Sequence, residues 1–362
     1  MNHSLLKRFV LPLTLAVGLL GAGPLQAAAP QPGLPGQSFT VEDLGVLPGY
    51  VLSQANAVNN WGVAVGYSIN NDPALFNGQH ASLFTGTSVT DLGGLPGSIV
   101  NVANGVNDQG QVVGFSVVPQ GNSVFPTFAV LFQNGLAIDL GGGFDSSAAA
   151  INNRGEAVGF INGYQAAGFA NGTVTLLGAL AGSADSFPLA VNNVGQAAGY
   201  ADLDDGSTHA VLFQNGRAYD LGLPPGGTTS TANAINDQGQ VVGYGLAADG
   251  HYHALLFQNG QVIDFGLLPG GSFSMASAIN NAGDAVGVAD LDGVIQHAVL
   301  FRQGRIVDLG ILPGGGNFSS ATGINELGQI VGIGATADGI QHAVRWTPRN
   351  GFVLPDRPVA MR

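Results

Sequence analysis

His209-Ala210-Val211-Leu212-Phe213-Gln214-Asn215-Gly216-Arg217-Ala218-Tyr219-Asp220-Leu221-Gly222 is the stretch that decides the fold. Two short β-forming runs flank Asn215-Gly216. A two-residue Asn-Gly loop between such runs predicts a hairpin, because both residues tolerate positive φ. The same turn recurs at Asn134-Gly135, Asn171-Gly172 and Asn259-Gly260. Further on, Asn236-Asp237-Gln238-Gly239 leads into Gln240-Val241-Val242-Gly243-Tyr244. That Asn-x-x-Gly fits a type I turn whose glycine takes the left-handed position. The asparagine caps the turn with its own side chain, so it needs no chemistry.

Three anchors recur seven times in fixed order. An Asp-Leu-Gly slot falls at Asp43, Asp91, Asp139, Leu176, Asp220, Asp264 and Asp308. An Asn-x-x-Gly slot opens at Asn59, Asn107, Asn152, Asn192, Asn236, Asn280 and Asn325. The slot that begins His-Ala-Val-Leu-Phe falls at His80, Phe128, Gln165, His209, His253, His297 and His342. Each copy reads as four strands, and helical periodicity is absent from the repeats. A repeat of roughly 44 residues with four strands matches a propeller blade. A single blade cannot bury both faces, so the copies must stack, and a ring removes the exposed ends. We therefore expect an all-β chain: seven four-stranded repeats in a closed seven-bladed β-propeller.

The termini bear on closure. The first copy starts directly at Phe39 to Leu44, and the last ends at His342 to Trp346. These two strands can pair and seal the ring. Gly351 to Pro355 also reads as such a strand and competes for the slot. Alternating strand direction puts the Asn-Gly and Asn-x-x-Gly turns on one face. The Leu-Pro-Gly-Gly connections and the variable loops lie on the other, where a site is expected.

Residues 1–29 read as a secretory signal peptide. Lys7 and Arg8 precede the apolar run Phe9 to Leu20, and small residues end at Ala27-Ala28-Ala29. The run is too short to span a bilayer, which takes about 20 residues. Residues 30–38 form a short linker, 39–346 the repeat domain and 347–362 a C-terminal tail. The expectation is export from a bacterial cell, to the periplasm or beyond, with no membrane insertion once the signal is removed.

Charge narrows the partners. Lys7 is the only lysine, so the mature chain keeps eight arginines against 23 acidic residues. Nucleic acid needs a basic surface that displaces counterions, so it is excluded as a partner. The chain has no cysteine, which rules out thiol catalysis, Cys-ligated metals and disulfides. Glycine makes up 58 of 362 residues without a collagen period, which fits many short strands joined by tight turns.

The recurring His-Ala-Val-Leu-Phe-Gln-Asn-Gly, Asp-Leu-Gly, Leu-Pro-Gly-Gly and Gly-Gln-Val-Val-Gly motifs resemble the HAF-repeat family of probable extracellular bacterial proteins. The resemblance runs from about 39 to 346. The fourth copy departs from it, with Gln165 for His and Leu176 for Asp. The resemblance implies export and repeat architecture, and it carries over no catalytic residue.

Candidate chemistry is thin. His80 and Asp91, His209 and Asp220, His253 and Asp264, and His297 and Asp308 are each 11 residues apart. Across a hairpin this spacing sets His diagonal to Asp on one sheet face. The pair reads either as an acid–base couple or as a structural hydrogen bond repeated along the chain; repetition favours the second. Asp202, Asp204, Asp290 and Asp292 sit in acidic loops and are the candidate metal ligands, for calcium. Turn chemistry explains the same residues. No other cofactor is called. The asymmetric residues are Glu42, Trp61, Arg154, Glu156, Tyr164 and Glu326.

The reading is a non-catalytic binding or interaction scaffold, with a protein or polysaccharide of the envelope or extracellular space as partner. The alternative is an extracellular carbohydrate-active enzyme, a hydrolase or lyase, with Glu42 and Glu156 as its carboxylate pair. An enzyme would gather non-repeated polar residues at one end of the channel. A scaffold would show repeated polar residues satisfied by the frame.

Overall fold

The computed structural model describes residues 39–70, 78–86, 88–121 and 124–349, and every regular element among them is a β-strand. The chain opens with β1 (Phe39–Gly45). The first unit is β2 (Leu52–Val58), β3 (Ala64–Ile69), β4 (Gln79–Thr85) and β5 (Ser88–Asp91). The second is β6 (Val100–Val106), β7 (Val112–Val117), β8 (Thr127–Gln133) and β9 (Leu136–Asp139). The third is β10 (Ser147–Ile151), β11 (Ala157–Ile161), β12 (Gln165–Ala170) and β13 (Thr173–Leu176). The fourth is β14 (Ser183–Val191), β15 (Ala197–Leu203), β16 (Thr208–Gln214) and β17 (Arg217–Asp220). The fifth is β18 (Thr229–Ile235), β19 (Val241–Leu246), β20 (Tyr252–Gln258) and β21 (Gln261–Gly266). The sixth is β22 (Ser274–Ile279), β23 (Ala285–Asp290), β24 (Gln296–Arg302) and β25 (Arg305–Gly310). The last strands are β26 (Ser319–Ile324), β27 (Ile330–Ala335) and β28 (Gln341–Pro348).

Each unit is an antiparallel four-stranded sheet in chain order; the first two are joined by one parallel bridge, Gln79 to Val100. The last three strands take β1 as their fourth, in the order β1-β28-β27-β26. Phe39 pairs with Pro348 and Asp43 with Val344, so the first strand is sewn to the last. The pairing carries β28 to Pro348, two residues beyond the expected end at 346, because Phe39 and Thr40 need partners there. The expected signal (1–29) and linker (30–38) and the rival segment Gly351 to Pro355 lie outside the described residues.

The turns form for the reasons the sequence gives. Asn134, Asn171, Asn215 and Asn259 all have φ between 51° and 55°, and each following glycine is also positive. Gln303-Gly304 adopts the same turn without the asparagine. In the other turn Gly62 N–H donates to Asn59 O and Asn59 N–H to Val63 O, both at 3.0 Å, and the pattern repeats at all seven turn asparagines.

One glycine in each copy is fixed by space. The first strand of every unit carries a bulge three residues before its turn asparagine, as between Ala232 and Ala234. A bulge re-aims the backbone. The carbonyl of Thr231 then leans over Gly243 of the next strand, and a Cβ there would sit 1.8 Å from it. Gly66, Gly114, Gly159, Gly199, Gly287 and Gly332 face the same carbonyl at 1.9–2.0 Å. Only glycine fits.

The core lies between units rather than within them. Seven apolar clusters each hold one residue from the same slot: Phe84, Phe132, Phe169, Phe213, Phe257, Phe301 and Trp346. None of the seven is more than 2% exposed. One cluster joins Leu44, Val331 and Ala343 to Ala55, Ala64 and Phe84, so the last sheet also packs on the first unit. At about 1.5–3 kcal/mol per buried large apolar side chain, the seven slots together add about 10–20 kcal/mol to the favourable side of folding.

Candidate functional site

The His–Asp spacing resolves into contacts. Nδ1 of His80, His209, His253 and His297 meets Asp91, Asp220, Asp264 and Asp308 at 2.7–2.9 Å. A fifth pair, His342 with Asp43 at 2.7 Å, joins β28 to β1. Each aspartate uses its other carboxylate oxygen, or in Asp308 the shared one, to accept the N–H of the glycine two residues on, as Gly45 N–H to Asp43 at 2.7 Å. For four of the five pairs, all but His80–Asp91, that glycine's carbonyl then accepts a serine hydroxyl from the next unit, and the serine oxygen accepts a main-chain N–H. Ser230, for example, donates to Gly222 O at 2.7 Å and accepts from Ala210 N at 2.9 Å. The His–Asp pair is thus one link of a relay that ties a sheet to its neighbour.

Electrostatics follow the contacts. For His342 the bond to Asp43 raises the pKa above its usual value, against burial, which opposes it. For Asp43 burial pushes up, yet the bonds from His342 and the Gly45 N–H prevail and the carboxyl is lowered. His253 lies between two carboxylates, Asp264 at Nδ1 (2.7 Å) and Asp249 at Nε2 (3.1 Å).

On the tight-turn face the sequence reading found half of what the asparagines do. Asn59 Oδ1 accepts from Trp61 N and Val63 N, the expected cap. Its Nδ2 also donates to the carbonyl of Asn107 in the next unit at 3.0 Å. The donation passes on through Asn152, Asn192, Asn236, Asn280 and Asn325, and from Asn325 back to Asn59. All seven asparagines are nearly fully buried.

The residues that follow them form a second circuit. Main-chain N–H groups of Asn60, Asp108, Asn153, Asn193, Asp237, Asn281 and Glu326 each donate to the side chain of the next, and Glu326 N–H returns to Asn60 Oδ1 at 2.9 Å. Three of these seven are carboxylates. Burial raises the Glu326 pKa, and Asp237 and Asp108 add to it. The signal was present in the sequence: the position after each turn asparagine is always Asn, Asp or Glu.

The asymmetric residues do not converge. Glu42 on β1 pairs with Arg345 at 2.8 Å. Glu156 pairs with Arg154 at 2.7 Å in the third unit's turn. Burial would raise the Glu156 pKa, but bonds from Asn152 and Arg154 outweigh it and lower it. Trp61 donates its indole N–H to Asp108 O at 2.8 Å. A cleft of about 260 Å³ on the tight-turn side is lined by Asp284, Arg302, Glu326 and Leu327 among others, and Asp284 and Arg302 are paired within it.

The four candidate calcium ligands fall in two separate units. Asp202 accepts the Thr208 hydroxyl at 2.7 Å, and Asp204 is exposed two residues on. Asp290 is 2% exposed and accepts the Ser272 N–H (2.8 Å), the Phe273 N–H (2.6 Å) and the Ser272 hydroxyl (3.0 Å). Asp292 Oδ1 accepts from Val294 N and Ile295 N. Asp202 and Asp292 close their own loops, while Asp290 ties its loop to the connection that holds Ser272 and Phe273.

No protein-family model matches the chain, and the search of curated proteins finds no match. Solved structures match by shape. The β-propeller domain of the Trilobed protease from Pyrococcus furiosus superposes with a TM-score of 0.51 at 9% identity, over 85% of this chain and 99% of that one. A puromycin-hydrolyzing peptidase of Mycobacterium tuberculosis gives 0.52 at 10%, over 90% and 58%. TolB from Acinetobacter baumannii gives 0.42 at 12%, over 80% and 65%, so the chain spans less than two thirds of these last two. At such identities the likeness shows a β-propeller fold and nothing of activity. Among the described residues no helix is long and apolar enough to cross a membrane.

Proposed function

We propose that the chain is a closed seven-bladed propeller, exported and of the HAF-repeat kind, that acts as a non-catalytic binding module for a protein or polysaccharide of the envelope or extracellular space. Closure draws its support from β1 pairing with β28 and from the asparagine circuit that returns to its start. The observation that carries the functional reading is the use made of the repeated polar groups. The anchor asparagines throughout, and the His, Asp and Ser anchors outside the second and third units, are largely spent on one another and on the backbone. Repeated groups satisfied by the frame are what a scaffold requires. The carbohydrate-active alternative needs two free carboxylates facing one bond. Glu42 and Glu156 are instead held by separate arginines.

The test is a pull-down from the producing cell's envelope and medium, with the mature chain as bait and calcium present or chelated. Specific retention of an unaltered protein or polysaccharide supports the module. Polysaccharide that returns shortened overturns it.

A further inference from the structure

The repeat fails in one place. The second and third units lack the His–Asp pair that the other five sheets keep. Phe128 stands in the second unit's His slot, and Gln165 and Leu176 replace both partners in the third. The register is unchanged: Val130 faces Asp139 as Val211 faces Asp220. Phe128 therefore occupies the position from which His209 reaches its aspartate. It turns to Phe144 instead, edge to face at 5.5 Å. Asp139 is exposed and keeps the Gly141 N–H at 2.7 Å on one oxygen. Among the described residues, no side chain meets the other.

The same face is unusually apolar there. Phe144 is 59% exposed, Phe125 52% and Tyr164 46%. In three other connections the residue four beyond the aspartate is a buried leucine, Leu47, Leu268 or Leu312; here that position is Gly143, and the exposed Phe144 follows it. The three aromatic residues belong to adjoining segments. Ser146 N–H donates to Thr127 O (3.1 Å), and Gly163 N–H donates to Asp145 O (2.7 Å). Exposed aromatic groups that adjoin one another mark an interaction surface. Its charge is one-sided: no lysine or arginine occurs from residue 39 to 153, while Asp139 and Asp145 flank Phe144.

We propose that this face of the second and third units docks a protein segment in which an arginine or lysine stands beside an aromatic or aliphatic side chain. The cation meets the open oxygen of Asp139 and lies over Phe144, and the apolar neighbour packs between Phe144 and Tyr164. Charge-assisted bonding and a cation over an aromatic face both favour arginine. The assignment rests on the binding-module reading and gives it a place and a ligand chemistry.

The test uses the mature chain and short capped peptides of Gly and Ser carrying Arg-Trp, Gly-Trp or Glu-Trp. Arg-Trp should bind about tenfold more tightly than Glu-Trp, and weaken with salt. Phe144→Ser and Asp139→Asn should each remove most of that preference, whereas Leu136→Ser, which alters an exposed side chain beside the Asn134-Gly135 turn on the opposite face, should not. All three positions are exposed, so the fold should survive, and circular dichroism checks this. Equal binding of Arg-Trp and Glu-Trp, or indifference to Asp139→Asn, overturns the assignment. So does Phe144-dependent retention of oligosaccharides in place of peptides. If the pull-down ligand still binds the Phe144→Ser chain, this surface is refuted while the module reading stands.

Discussion

Asn325, in the last repeat, donates its side-chain Nδ2 to the main-chain carbonyl of Asn59 in the first, at 2.9 Å. The two are 266 positions apart. The same side chain caps its own turn through Oδ1, from Leu327 N at 3.1 Å and Gln329 N at 2.9 Å. Asn325→Asp keeps the cap and removes only the donor, setting a carboxylate oxygen against a carbonyl. Losing a buried partner costs about 1–3 kcal/mol. We expect that loss for Asn325→Asp in urea unfolding, and a loss for Asn60→Asp as well, because Asn60 Nδ2 donates to Asp108 at 2.9 Å and two carboxylates would meet there.

Closure itself can be locked. Thr40 lies opposite Thr347 on the paired first and last strands. The chain has no cysteine, so a Thr40→Cys, Thr347→Cys variant has one possible bridge. It should oxidise without loss of fold and raise the melting temperature, since bridging so long a loop removes several kcal/mol of unfolded-state entropy. Free thiols persisting under oxidant, read by mass spectrometry, would mean that the ends do not meet.

The His342–Asp43 pair sets a pH window. The raised His342 contributes stability that is full below its unfolded pKa, near 6.5, and is lost as pH rises through the folded value. The lowered Asp43 contributes stability present above its unfolded pKa, near 3.8, and lost as pH falls through the folded value. Thermal stability should therefore be greatest between these limits and fall as pH rises above about 6.5. His342→Gln should flatten that fall, and an unchanged slope in the variant would assign it elsewhere.

Calcium at the acidic loops would have to displace bonds already made. Asp290 accepts three donors and Asp292 two. We expect excess calcium and excess chelator to give the same melting temperature. Asp290→Asn should destabilise by about 1–3 kcal/mol in either condition. A melting temperature that climbs with calcium would make these loops metal sites.

Trp346 fills the slot that phenylalanine holds in the other units, and its indole N–H is buried with no partner among the described residues. Trp346→Phe removes that unmet donor and leaves a small void, two effects of about the same size and opposite sign. Its unfolding free energy should stay within about 1 kcal/mol of the parent, whereas Trp346→Ala should lose about 3–5 kcal/mol. Calorimetry separates the two.

Much of this was legible in the chain. Asn215-Gly216 specified its hairpin because positive φ at both positions leaves few other conformations. Asn236 and Gly239 specified the next turn by the same local rule. The spacing of His209 and Asp220 across that hairpin fixed their contact, because antiparallel register follows from turn length. Repetition then implied stacking, since one sheet cannot cover its own faces. Tertiary structure alone decided the rest. The choice of Phe39–Gly45 as partner for β28 and the donation from each turn asparagine to the next unit join residues far apart in the chain or depend on what a neighbouring sheet presents. Local rules carry no information about such pairs. The packing of one repeat on the next brings them together, and it also leaves Phe144 and Tyr164 facing solvent.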